Sequence, residues 1–398
     1  MGLLRESDPR PVPLALARDL VRSLKRGHPW VYAEALRGRP PAPAGSQAVL
    51  SHGKRRSVAR GFYDPASPLA FRSCSVDEEE LDEKWALGRL RRALAARHRL
   101  FGGGDETTAY RILNGEGDGV PGLVLDRYGD HGVIQLDGPG PEGFWDVSGV
   151  ADWAAGELSL KCVIFRPRKG AARSLVGTLP EGDVVFSENG VRFGADLVRG
   201  QKTGFFLDQR ENRERVRGLA AGRTVLNLFG YTGGFSVYAG LGGAGGVTTV
   251  DLAKPAIAAA KTNWELNGLE PGAHDAVVRD AFAYLEEVLA KGGRTWDLIV
   301  ADPPSFASSK SSVPQARASY IRLLEASAQA CSRDGILVAS SCSSHVSADM
   351  FLEICLEAVS KARRRATVRG VHGQPMDHPY PLACPELRYL KSVFLALN

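Results

Sequence analysis

The second half of the chain alternates short apolar runs with longer amphipathic stretches. Apolar runs at 224–229, 247–251, 276–279, 297–301 and 335–341 read as buried strands. Between and after them, helical spacing fills positions near 234–241, 255–267, 281–290, 315–331 and 346–362. The second of these helices is well bounded: Pro255 stands in its first turn, Ile257, Ala260 and Trp264 share one face, and Gly268 ends it. Strand and helix in alternation predict a doubly wound, mostly parallel α/β sheet over residues 187–398.

The N-terminal texture differs. Residues 12–74 read as short strands with turns at 37–46 and at Asp64-Pro65. A stretch at 77–100 alternates acidic and basic residues at helical spacing and stops at Gly102-Gly103-Gly104. From 109 to 186 come further short strands, with 120–125 and 133–136 flanking a turn at 127–132, and a helix near 145–158. The expected organisation is a β-rich domain over 1–75, a connecting helix with a small α+β domain over 76–186, and the α/β domain over 187–398.

Composition narrows the class. A chain of 398 residues with 44% hydrophobic and 24% charged residues is globular and long enough for two or three domains. No run of eighteen apolar residues occurs, which excludes a helical membrane span. No signal-peptide pattern is read either, since the apolar stretch 14–17 is closed by Arg18 and Asp19. The six cysteines, at 74, 162, 331, 342, 355 and 384, show no CxxC spacing. That predicts free thiols in a reducing cytoplasm, without a zinc site or a disulfide framework. The net charge of +5 is unevenly spread: residues 1–75 hold thirteen Lys and Arg against five Asp and Glu, a net +8. A small basic domain on a near-neutral body suits a phosphate-bearing partner. Within it, Lys54-Arg55-Arg56 is expected at a hairpin tip, where a nucleic acid would release counterions on meeting those cations.

In an open parallel sheet, ligands bind outside the carboxyl ends of the strands. The first strand is followed by NLFGYTGGF, 227–235, whose glycines permit close backbone approach. Asp251 closes the second strand and can accept from both hydroxyls of a ribose, and Asp280 follows the third, where an adenine amino group could be received. Three strand ends in order describe a site for an adenosine-bearing cofactor. The spacing is G-x-x-G-G and lacks GxGxxG, so S-adenosylmethionine suits it better than a dinucleotide. Asn227, Phe229, Tyr231, Thr232, Gly233, Gly234, Asp251, Asp280, Ala281 and Asp302 are the candidate cofactor residues.

The fourth strand runs into Asp302-Pro303-Pro304-Ser305-Phe306. Two prolines hold the backbone extended, so that Asp302 can meet a base edge and Phe306 can stack on a base. A plain strand-to-helix loop capped by the aspartate is the simpler alternative. The fifth strand ends in SSCSSH, 340–345, which places Cys342 on the same edge as Asp302. Cys331 and Cys355 are expected inside helices as packing residues. A thiol at this edge suits methylation at C5 of a pyrimidine, because thiolate addition to C6 makes C5 nucleophilic. Asp302 would bond the N3/N4 edge of cytosine.

These residues resemble the bacterial large-subunit ribosomal RNA methyltransferases that make 5-methylcytosine in 23S RNA. KRGHPWVY (25–32) and GFYDPASPLAFR (61–72) are similar to the PUA domain of that family, and DGVPGLVLDRYGD (118–130) to its central domain. QKTGFFLDQR (201–210), NLFGYTGGF, VADPPSF (300–306), SSCSS (340–344), DHPYP (377–381) and PELRYLK (385–391) resemble its class I methyltransferase part. The resemblance implies an S-adenosylmethionine-dependent cytosine-5 methyltransferase with Cys342 as nucleophile. It also implies ribosomal RNA, naked or in the large subunit, as partner, with no membrane partner; a homodimer stays open. Ser305 stands where other RNA cytosine methyltransferases carry a second cysteine, so another group must release the adduct. Asn227 replaces an acidic residue often seen there, and residues 240–246 are unusually rich in glycine. Two alternatives stay open: a base-amino methyltransferase, which needs no thiol, and a non-catalytic RNA-binding assembly factor.

Overall fold

The computed structural model describes residues 2–398 except 7, 9, 54, 78, 103, 293, 294 and 308, together with the backbone but not the side chains of 55 and 56. The chain divides into two compact units, the first comprising Met1–Ser187, Ala195–Leu207 and Met376–Leu387. This unit holds two five-stranded sheets. One runs Val12–Ala15, Ser46–His52, Arg55–Tyr63, Leu69–Ser75, Trp30–Tyr32, and buries Leu14, Val31, Leu50, Val58 and Phe71. Strand Arg55–Tyr63 begins earlier than the sequence suggests, so Arg55 and Arg56 belong to the strand, and Gly53 with φ +58° lies in the turn before it. Lys54 and the side chains of Arg55 and Arg56 lie outside the described residues. The other sheet runs Arg173–Val176, Cys162–Phe165, His131–Leu136, Leu123–Tyr128, Ala109–Asn114.

Helix Glu83–Phe101 starts where Asp82 accepts a hydrogen bond from the Trp85 amide at 2.7 Å, and buries Trp85, Leu90 and Leu94. The helix expected at 145–158 is Val147–Leu158, capped by Asp146, with a separate short helix Pro139–Phe144 before it. Proline and glycine punctuate that region too densely for one continuous helix. The DHPYP segment belongs to this unit. Asp377 accepts from the Arg111 amide at 3.0 Å, and its carbonyl accepts from Arg97, whose guanidinium also grips Asp118 at 2.6 and 2.7 Å.

The second unit comprises Glu188–Gly194, Asp208–Pro375 and Arg388–Asn398. Its strands are β1 (Thr224–Leu228), β2 (Gly246–Asp251), β3 (His274–Val278), β4 (Trp296–Ala301), β5 (Cys331–Ser341), β6 (Ala366–His372) and β7 (Lys391–Leu397). Its helices are α1 (Arg210–Leu219), α2 (Gly234–Leu241), α3 (Lys254–Leu266), α4 (Ala281–Ala290), α5 (Val313–Ala330) and α6 (Ala348–Lys361). The sheet order is β3-β2-β1-β4-β5-β7-β6, parallel except for β7. The order reverses between β1 and β4, and at such a switch point an open sheet binds its ligand. In α3, Ile257, Ala260 and Trp264 are buried as their spacing requires, and Gly268 follows with φ +67°.

Two expectations fail here. Cys331 opens β5 instead of ending a helix, because pairing with Trp296 draws it into the sheet although its sequence continues the helical pattern. The antiparallel pair β6 and β7 has no counterpart in the strand pattern read from the sequence. Strand β7 is an apolar run too short to separate from a buried helix, and β6 is largely exposed over 366–369. Among the described residues no helix is long and apolar enough to cross a membrane.

Candidate active site

The turn after β1 is strained. Phe229 and Tyr231 adopt φ of +56° and +46°, and a non-glycine residue pays about 1–3 kcal/mol to stay there. Asp251 holds it: one carboxylate oxygen accepts from the Tyr231 amide at 2.9 Å and the other from Ala253 at 2.9 Å. Gly230 has no room for a side chain, since a Cβ would lie 2.5 Å from Thr249 Cγ2. Asn227 is buried and donates to Ser236 at 2.9 Å, while its Oδ1 and the buried hydroxyl of Thr232 have no hydrogen-bond partner among the described residues. Orphaned polar atoms beside a strained glycine turn suit a polar ligand that completes them. Gly233 and Gly234 lead into α2, Asp280 caps α4 through the Ala283 amide at 3.0 Å, and Ala281 is buried behind it.

A carboxylate retains lone pairs after accepting two backbone bonds, so Asp251 can also accept from ribose hydroxyls. In Asp251→Ala, charge-assisted bonds worth roughly 1.5–3 kcal/mol each disappear and the turn loses its anchor. Calorimetry should show S-adenosylmethionine affinity reduced at least tenfold in a folded variant. Wild-type affinity would remove Asp251 from the cofactor site.

Asp302 and Cys342 follow adjacent strands, β4 and β5. Gln209, buried, donates to the Asp302 carboxylate at 3.0 Å and accepts from Asn212 at 2.6 Å. The two strand-end loops are tied together: Ser305 Oγ lies 2.9 Å from Ser343 Oγ, and the Tyr320 hydroxyl lies 3.0 Å from Ser343 Oγ and 2.9 Å from Ser341 Oγ. Phe306 is half-buried, with its ring centroid 4.8 Å from Tyr320 and 6.3 Å from Phe282. Cys342 is half-buried, whereas the other five cysteines are buried. Burial pushes the thiols of Cys331, Cys355 and Cys384 up to about 12 and leaves them inert near neutral pH.

The sequence reading assigned no role to Gln209, Tyr320, Tyr389 or Lys391. Lys391, at the start of β7, is buried and donates to the carbonyls of Ser343 at 2.6 Å and Tyr389 at 2.8 Å. The Tyr389 hydroxyl in turn donates to Asp208 at 2.8 Å. Gln209 and Lys391 lie in the motifs LDQR and YLK, and a lysine opening an apolar run was the available signal.

This arrangement has close counterparts. Residues 145–369 match the S-adenosylmethionine-dependent methyltransferase family model, and residues 14–75 match a PUA-like domain. A ribosomal RNA large subunit methyltransferase of Deinococcus radiodurans is 39% identical across 100% of both chains. Ribosomal RNA large subunit methyltransferase I of Shewanella denitrificans is 35% identical over 94% of this chain and 96% of its own length. A solved Streptococcus mutans chain, described as a SAM-dependent methyltransferase, superposes with a TM-score of 0.85 at 25% identity, covering 97% of this chain and 100% of that one. A further solved chain with the same scores is described as a methyltransferase complexed with SAH. The chain therefore uses S-adenosylmethionine and belongs to the S-adenosylmethionine-dependent ribosomal RNA large subunit methyltransferase family.

Proposed function

We propose that this methyltransferase modifies C5 of a cytosine in 23S ribosomal RNA through a covalent adduct between Cys342 and C6. The observation that carries this reading is the setting of Cys342: it is the least buried cysteine, it follows β5, and its turn is tied by Ser305 to the loop that bears Asp302 and anchored by Tyr320 and Lys391. A base-amino methyltransferase has no use for a positioned thiol. Bound S-adenosylmethionine supplies an electrophilic methyl group on a sulfonium.

The chain's own residues do the rest. The Cys342 thiolate adds to C6, forming an S–C bond while the C5–C6 double-bond electrons pass into the ring and make C5 nucleophilic. Asp302, held by Gln209, bonds the N3/N4 edge and favours the protonated ring on which addition is easier. After C5 is methylated, removal of its proton restores the double bond and expels the thiolate. Asn227, Tyr231, Thr232, Asp251 and Asp280 line the cofactor side. For RNA contact we assign Phe306 in the one unit and, separately, the basic N-terminal domain with Lys54, Arg55 and Arg56 in the other. The names of the two relatives given above, both large-subunit ribosomal RNA methyltransferases, support the RNA class.

The test is to map modified bases in ribosomal RNA from a deletion strain. A single 5-methylcytosine should vanish from 23S RNA and return with the wild-type gene but not with Cys342→Ala. Loss of an N-methylated base instead would establish the amino-methyltransferase reading.

A further inference from the structure

A nucleophilic cysteine must be a thiolate near neutral pH, and hydroxyl neighbours alone stabilise that charge weakly. The turn bearing Cys342 is packed with hydroxyls, namely Ser341, Ser343, Ser305 and Tyr320. The cation lies on the neighbouring strand. Lys391 pairs in register with Ser341, one residue before the thiol. It is 2% exposed, and its ammonium is pinned by the carbonyls of Ser343 and Tyr389 at 2.6 and 2.8 Å. Among the described residues no carboxylate lies within ion-pair distance of it. A buried ammonium held only by neutral carbonyls is costly unless an anion compensates it. Cys342 is the group whose negative charge acts on Lys391 favourably, and Arg388 opposes it.

We propose that Lys391 is a positioning residue whose buried ammonium serves as the counter-charge of the Cys342 thiolate. Burial lowers Lys391 to about 8, close to an ordinary thiol at about 8.5. Attraction between the two charges favours thiolate with ammonium over thiol with amine. The other titratable groups facing the pair leave that balance in place. Tyr320 is pushed up by burial and stays neutral, and Asp208 is separated from the ammonium by Tyr389. The proposal rests on the reading of Cys342 as the nucleophile and supplies what that reading lacks, the source of thiolate at neutral pH.

The test reads the thiol directly and needs no RNA. The rate of Cys342 alkylation by iodoacetamide is followed against pH in the full-length protein, with the site identified by peptide mass spectrometry. The wild-type midpoint should lie below the ordinary thiol range of about 8.5. Lys391→Gln keeps N–H donors for the two carbonyls but carries no charge, and should cut the rate constant at pH 7 about tenfold, the effect of one unit in thiol pKa. Lys391→Arg should restore most of it. Melting temperature and cofactor calorimetry report whether the variants fold. Should Lys391→Gln fail to fold, the wild-type midpoint and the Lys391→Arg profile decide. A wild-type midpoint at or above 8.5, or superimposable wild-type and Lys391→Gln profiles, overturns the role of Lys391 without touching the cytosine-5 reading. Full methylation by Cys342→Ala would overturn that reading whatever the alkylation profiles show.

Discussion

Cys342→Ala and Cys342→Ser should each abolish methyl transfer, a loss on the order of 10⁴-fold or more, while S-adenosylmethionine binding is expected to stay at the wild-type level. Serine fails as completely as alanine because its alkoxide is not formed near neutral pH and no adduct builds up. Wild-type protein given RNA with 5-fluorocytosine at the target should be trapped as a covalent complex, since fluorine at C5 blocks the proton loss that frees the thiol. Cys331→Ala and Cys355→Ala are the controls: both thiols are buried in the sheet and helix packing, and their removal should leave methylation largely intact. A denaturing gel and a methyl-transfer assay suffice. Near wild-type methylation by Cys342→Ala would hand the site to amino-methyl chemistry.

The second large effect concerns stability. Arg213 on α1 binds Glu188 through two hydrogen bonds, 2.7 and 2.6 Å, with side chains 3% and 0% exposed. The Tyr238 hydroxyl adds a bond to the Glu188 carbonyl at 2.9 Å. Removing one member strands a charge in the interior, so Arg213→Met should cost roughly 3–5 kcal/mol. Replacing both, as Glu188→Leu with Arg213→Met, removes the stranded charge and should recover most of that loss. Urea unfolding of the single and double variants gives the comparison. A loss below 1 kcal/mol in the single variant would mean that water reaches the pair.

The strand-end logic was legible before the structure because a parallel sheet has few degrees of freedom. Five apolar runs separated by amphipathic helices dictate which residues follow a strand, and so Asp251, Asp302 and Cys342 fall at one edge of the sheet. The left-handed turn at 229–233 was legible only in part. Glycines announced it, but the positive φ at this turn is held by the bond from the Tyr231 amide to Asp251, whose carboxylate is fixed in turn by the Ala253 amide.

What the sequence determined by itself is the alternation, the order of motifs and the identity of the chemical groups, because these follow from local period and residue type. Tertiary structure alone decided three things. It drew Cys331 out of its helical pattern, since pairing with Trp296 outweighs local propensity. It set β7 antiparallel between β5 and β6, which no local period specifies. Through that pairing it carried Lys391, forty-nine positions beyond Cys342 in the chain, into register with Ser341. A charge placed by strand pairing leaves no local trace in the sequence, because its partner is chosen by the sheet and not by the spacing.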